Sequence, residues 1–226
     1  MNYLKNIHIR LILSTYLSRK FSINMAKRKS DVKATNTTNL KKPKTGGGGH
    51  WSLGLATSVN DPAYFVKSDD LINVIKDKYP KAKYHFLIMP KEKISSLKAV
   101  TGQHQGLLKH MEDVATEIAN DKKHEGSTFK VGYHAEASMT QLHLHVISDD
   151  MNSDCLKTKK HWNSFTTEFF VKSQDVRKNL EKDGKIRLLT TEDCKKCMET
   201  PLKCHRCDVK PKNMPALKKH ILTHVK

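Results

Sequence analysis

Apolar and polar positions recur along this chain with two different periods, and the periods mark its elements. In "GQHQGLLKHMEDVATEIANDKK" (102–123), Leu107, Leu108, Met111, Val114, Ala115 and Ile118 form one apolar stripe at helical spacing, which predicts a long amphipathic helix. "LINVIKD", "YHFLIMP", "FKVGYHA" and "QLHLHVIS" are short apolar segments that predict strands, and "HWSLGLATS" (50–58) predicts a short helix. A further polar helix is expected near 173–183. The order helix, strands, long helix, strands predicts an α+β fold with an antiparallel sheet. In a strand, side chains alternate faces. The segment 141–148 therefore turns Leu142, Leu144 and Val146 to the core and sets His143 and His145 on the other face beside Gln141.

Charge and cysteines narrow the class. The 226 residues carry a formal charge of +18, enough chain for one core and a small appendage. Residues 1–49 hold 11 Lys/Arg against Asp31 alone, so the tail carries 11 − 1 = +10 and the rest 18 − 10 = +8. A basic body as well as a basic tail fits a polyanionic partner; a domain with a targeting tail is the other reading. The acid-free start "MNYLKNIHIRLILSTYLSRKFSIN" has the composition of a mitochondrial transit peptide. After Met25 follow "AKRKS" and "KKPK", basic clusters of the nuclear-import kind, and then a Gly46–Gly49 hinge. A nuclear protein with a mitochondrial form initiated at Met1 is expected. No run approaches the roughly 18 apolar residues that span a bilayer, so no membrane partner is expected.

All five cysteines lie from Cys155 onward, four of them as C-x-x-C pairs, a pattern of metal chemistry in a reducing compartment. Cys204-x2-Cys207-x12-His220-x3-His224 has the spacing of one structural zinc ion. Leu217 stands where such fingers bury a leucine; Pro211 replaces the usual aromatic, leaving Met214 to fill the small core. A four-cysteine alternative using Cys194 and Cys197 leaves two well-spaced histidines unused and is rejected. The chain thus divides into a basic tail (1–49), a globular domain (50–170), a helical connector (171–199) and a zinc finger (200–226).

A His-x-His pair alone has three readings: a metal site needing a third ligand, a catalytic imidazole pair, or two histidines facing water. Its surroundings decide. "SMTQLHLHVI" resembles the motif of the histidine-triad superfamily, and "VIKDKYPKAKYHFLIMP" resembles that family's second signature of Asp, Pro and His. With "HWSLGL", "SSLKAV", "LLKHM", "GYHAEASM" and "CLKTKKHWNSF", the chain is similar to the aprataxin branch of that superfamily, which repairs DNA ends. The resemblance departs at Gln141, where the first triad histidine is expected.

The resemblance implies a metal-free catalytic site. His143 matches the nucleophile, its Nδ1 proton held by a main-chain carbonyl, so the side chain at 141 is expected to be dispensable. His145 and Ser138 match donors to the phosphoryl oxygens, His85 a donor to the leaving phosphate, and Asp77 the carboxylate on the ribose. Leu53 and Ile75 are expected to wall the adenine. His134, Asn152, Ser153 and the loop carrying Lys91, Lys93 and Ser95 are expected on DNA, with Lys160 on its phosphate. The stretch "LKTKKHWNSF" also supplies Lys159, His161 and Ser164 for phosphates; its Trp162 has two readings, stacking or packing the junction to the finger, and packing is favoured. The implied activity is removal of AMP from 5′-adenylated ends and nicks of DNA, RNA–DNA junctions included, through an AMP–histidine intermediate that restores the 5′-phosphate; 3′ guanylate caps are a further expected substrate. The rivals are a small-molecule adenosine phosphoramidase and a non-catalytic zinc-finger protein that binds DNA ends. Only the tail precedes His50, so recruitment through a forkhead-associated domain is not expected.

Overall fold

The computed structural model describes residues 54–224. Six strands form one antiparallel sheet: β1 (Phe65–Ser68), β2 (Ile72–Lys76), β3 (His85–Pro90), β4 (Phe129–His134), β5 (Leu144–Ser148) and β6 (Phe170–Lys172). Their spatial order is β1-β2-β3-β5-β4-β6, so β5, which carries His145, lies at the centre. The helices are α1 (Gly54–Val59), α2 (Gln105–Ala119), α3 (Lys159–Thr166), α4 (Ser173–Asp183), α5 (Thr191–Glu199) and α6 (Met214–Ile221). The α+β class and antiparallel sheet are those expected.

Helix α2 is shorter than its pattern. A 3-10 turn, Gly102–His104, capped by Thr101, precedes it. It stops at Ala119, because the Asp121 carboxylate accepts from the Lys123 amide and starts another turn. Strand β5 also starts late, at Leu144, since Gln141 has φ 102° and takes 141–143 out of the ladder. Strands β1 and β6 were not expected; β6 has three residues, too few to show a period. Its pairing with β4 needs Gly132: a Cβ there would stand 2.5 Å from the Val171 carbonyl oxygen and against the Phe170 ring.

The two faces of the sheet bury different partners. Leu108, Met111 and Val114 of α2 and Val176 and Leu180 of α4 pack on Ile72, Val74, Ile88, Leu144 and Val146. Each such side chain stabilises the fold by roughly 1.5–3 kcal/mol. On the opposite face Ile147, Met151, Trp162 and Phe165 share one cluster with Leu202, Cys204, Met214, Leu217 and Ile221 of the finger segment. Trp162 is a packing residue: it is 1% exposed, and its indole N–H donates to the Lys203 carbonyl at 3.0 Å. Asn163 fastens α3 to the end of α5 by donating to the carbonyls of Met198 and Thr200.

Candidate active site

The nucleophile candidate is set by its main chain. His143 is 4% exposed, and its Nδ1 lies 2.8 Å from the Gln141 carbonyl oxygen. A carbonyl only accepts, so Nδ1 carries the proton and Nε2 keeps a lone pair. Three bonds fix that carbonyl: Gln141 N–H to Ser95 O at 3.0 Å, Leu142 N–H to Ile94 O at 2.7 Å, and the Gln141 side-chain amide to Pro90 O at 2.8 Å. The side chain at 141, expected to be dispensable, adds a tether for a residue held at positive φ.

A second chain of hydrogen bonds sets His145. The Lys81 main-chain N–H donates to His85 Nδ1 at 3.2 Å, so the His85 proton sits on Nε2. That Nε2 is 2.9 Å from His145 Nδ1, which accepts; His145 therefore carries its own proton on Nε2, a buried atom with no partner among the described residues. An N–H left unpaired in a buried site is costly unless a ligand takes it. His85, expected to donate to the leaving phosphate, directs its Nε2 proton to His145 Nδ1 in this arrangement. Asp77 Oδ2 stands 3.5 Å from His85 Nδ1, while its Oδ1 accepts from the Tyr79 amide at 2.7 Å.

Burial sets the charge state. It drives His85 down to about 4 and His134 to about 3, lowers His145 well below the usual imidazole value, and lowers His143, for which the Gln141 carbonyl and Asp77 work in the opposite direction. All four rings are neutral at pH 7. Asp77, His85 and His145 come close enough to suggest a cation site. In the tautomers just derived, neither ring nitrogen of His85 offers a free lone pair: His85 and His145 form a hydrogen-bond relay that starts at the Lys81 N–H, and Asp77 stands beside it.

A cleft of about 580 Å³ joins Asp77, His85, His134, Ser138, His143 and His145 with Lys160, His161 and Ser164. The rest of the expected set stands elsewhere. Ile75 is buried with Leu55, Leu87 and Met89, behind Met139 of the cleft wall. Lys91, Lys93, Ser95, Asn152 and Ser153 do not line the cleft. Ser95 holds Gln141 through its carbonyl, and the Ser153 hydroxyl donates to the Pro80 carbonyl. Leu53 lies outside the described residues, as does the tail. The cleft adds Lys81, Cys155, Phe165, Phe169 and Met198, which sequence reasoning passed over. Lys81 had a signal, its place inside the Asp-to-His signature, as did Cys155 and Phe165, the two ends of "CLKTKKHWNSF".

The finger residues suit zinc. Cys204, Cys207, His220 and His224 bring one donor atom each within 4.8 Å of the others. Sγ–Nε2 separations are 3.5 Å (Cys204–His224) and 3.2 Å (Cys207–His220), and the two Nε2 atoms are 3.3 Å apart. Tetrahedral zinc sets S–N edges of about 3.6 Å and N–N edges of about 3.3 Å. The neighbouring Cys194 is buried instead with Ala135 and Phe169, with Cys197 packed against them.

Fold and site together define a histidine-triad domain joined to a two-Cys, two-His zinc module. Residues 51–161 match the family described as scavenger mRNA decapping enzyme C-term binding, and residues 166–226 match the C2HE / C2H2 / C2HC zinc-binding finger. The chain is 50% identical to aprataxin of Danio rerio over 80% of its own length and 56% of that protein, and 44% identical to that of Gallus gallus over 90% and 63%. It is 30% identical to the aprataxin-like protein of Saccharomyces cerevisiae, covering 73% of this chain and 88% of that one. The solved aprataxin ortholog Hnt3 from Schizosaccharomyces pombe superposes with a TM-score of 0.62 at 26% identity, over 76% of this chain and 89% of the other. The chain belongs to the aprataxin family. It spans roughly half of the vertebrate and tunicate relatives it matches, at 56%, 45% and 63% of their lengths.

Proposed function

We propose that this chain is a DNA-repair nucleotide hydrolase that removes AMP from 5′-adenylated DNA ends. The observation that carries the reading is the pair of imidazole atoms in one cleft: a lone pair on His143 Nε2 and an unpaired N–H on His145 Nε2. Membership of the aprataxin family supports it, as does the crystal structure of the ortholog Hnt3 in complex with DNA.

His143 Nε2 attacks the adenylate phosphorus, forming a P–N bond as the anhydride P–O bond breaks and the DNA 5′-phosphate departs. The His145 N–H donates to a phosphoryl oxygen as charge develops there, preset by the Lys81–His85 relay. Water then attacks the same phosphorus, the P–N bond breaks, and AMP leaves with His143 restored. Asp77 takes the ribose hydroxyls, and Lys160, His161 and Ser164 take phosphates of the DNA end. Guanylate on a 3′ end and adenylated RNA–DNA junctions present the same reacting phosphorus. Zinc held by the four finger residues closes that module, which grips the DNA end. The tail directs the protein to the nucleus, and a form initiated at Met1 to mitochondria.

One assay separates the readings: AMP release from 5′-adenylated nicked DNA against release from an adenosine phosphoramidate. The proposal expects the DNA substrate to be strongly preferred. Preference for the phosphoramidate makes the chain a small-molecule phosphoramidase, and release from neither makes it a binding protein.

A further inference from the structure

On the α2 side of the sheet, at the same end as the catalytic cleft, lies a second cleft of about 610 Å³. That size falls within the roughly 300–1,000 Å³ of pockets that take small ligands. Lys76, Lys78, Lys83 and Lys123 line it, and none of these ammonium groups has a carboxylate partner among the described residues. Lysines without an acid partner also occur elsewhere, Lys182 and Lys185 among them, so what marks this cleft is four ammonium groups gathered around one opening. The two acids that border the cleft are turned to the backbone, Asp121 to the Lys123 amide and Asp77 to the Tyr79 amide.

The walls are aromatic. Lys78 Nζ stands 5.9 Å from the centroid of the Tyr64 ring and Lys83 Nζ 5.1 Å from that of Tyr84. Both rings line the cleft. Tyr84 packs on His124, with ring centroids 4.5 Å apart, and on Phe129, with Lys83 over it, so Tyr64 is the ring left for a base. An aromatic ring among cations is recurring equipment for binding unpaired nucleotides. A duplex hides its base faces and cannot use such rings.

One turn connects the two sites. Residues 77–84 run between β2 and β3; Lys81 faces the catalytic cleft, Lys78 and Lys83 face the second one, and Asp77 and His85 border both. We infer that this second cleft binds a single-stranded stretch of nucleic acid, stacking a base on Tyr64 and placing phosphates on Lys76, Lys78, Lys83 and Lys123. The inference rests on the proposed function only in taking nucleic acid as the partner. It requires neither adenylate chemistry nor His143.

The test is fluorescence anisotropy on the full chain with a labelled thymidine strand of about ten nucleotides, an abasic strand of equal length, and a blunt duplex. Lys78→Glu with Lys83→Glu should weaken binding of the thymidine strand at least tenfold and lower the salt slope by about one per lysine. Tyr64→Ala should cost at least about fivefold on that strand, the low end of a stacking contact, and little on the abasic one. Lys182→Glu with Lys185→Glu, an exposed pair elsewhere, controls for net charge. Equal loss from the control pair, equal loss on the blunt duplex, or equal wild-type affinity for thymidine and abasic strands would overturn the inference. AMP release from adenylated nicked DNA, measured on the same variants, reports separately on the proposed reaction: strand binding lost with AMP release intact supports the second cleft, and absence of AMP release in the wild type leaves the binding comparison readable.

Discussion

The Gln141 carbonyl and His143 Nδ1, 2.8 Å apart, make the tautomer of the proposed nucleophile a property of the main chain. The carbonyl is aimed by a residue at φ 102° that two backbone bonds and one side-chain bond hold in place. Gln141→Ala removes only the side-chain tether to Pro90. It should cost about 1 kcal/mol of stability and less than about tenfold in kcat/KM, or 1.4 kcal/mol. Gln141→Pro, which forces φ to about −65° and deletes the N–H given to Ser95, should lose as much as His143→Ala. Steady-state kinetics and urea denaturation on both variants check this; an alanine as damaging as proline would contradict it.

The neutral histidines give a pH signature. Protonating His143 removes the attacking lone pair, and burial keeps its pKa below the ordinary imidazole value. The acid limb of kcat/KM should therefore have its midpoint below about 6.5. Stability follows the same sign. His85 and His134 titrate near 4 and 3 when folded but near 6.5 when unfolded, so the unfolded chain binds more protons between those values. Stability should fall as pH drops from about 6.5 towards 4, by up to about 1.4 kcal/mol per pH unit for each such histidine. Urea midpoints at several pH values measure it; a flat profile across this window would contradict buried neutral rings.

How much of this was legible in sequence depends on how local each feature is. The stripe Leu108, Met111, Val114, Ala115 and Ile118 and the alternation of Leu142, Leu144 and Val146 are local periods, and the sheet and helix buried those side chains. The zinc spacing is local too. The positive φ of Gln141 and the Lys81–His85–His145 relay depend on where β3 and β5 meet, and no spacing reports that. Nor does any spacing report that Ser153 gives its hydroxyl to the Pro80 carbonyl and its carbonyl to Lys218. Trp162 is legible as an anchor, but its burial against the finger is a tertiary fact.

That shared core predicts how zinc removal acts. Cys204, Met214 and Leu217 pack in one cluster with Trp162 and Phe165, and Phe165 also walls the catalytic cleft. Arg206 adds a clasp, donating to the Asp149 carboxylate and to the carbonyls of Asp149 and His224. Chelation or Cys204→Ser should lower one cooperative melting transition by at least about 5 °C rather than split it in two. Calorimetry decides; two separate transitions would show that the finger folds on its own.

The tail predicts two addresses in series. The Met1→Ala variant should become nuclear, because only "AKRKS" and "KKPK" remain near its N-terminus, and Met25→Ala should be enriched in mitochondria. Fluorescence microscopy of tagged forms reads the outcome, and identical distributions would remove the dual start.

Attack by His143 on the phosphorus of 5′-adenylated DNA leaves an AMP adduct that covalent trapping can catch. Rapid denaturation without acid during turnover of adenylated nicked DNA, followed by peptide mass spectrometry, should find AMP on His143. His143→Ala should give no adduct and no AMP release, while His143→Asn should keep the fold and still bind DNA ends. AMP found on His145, or full turnover by His143→Ala, would rule out His143 as the nucleophile.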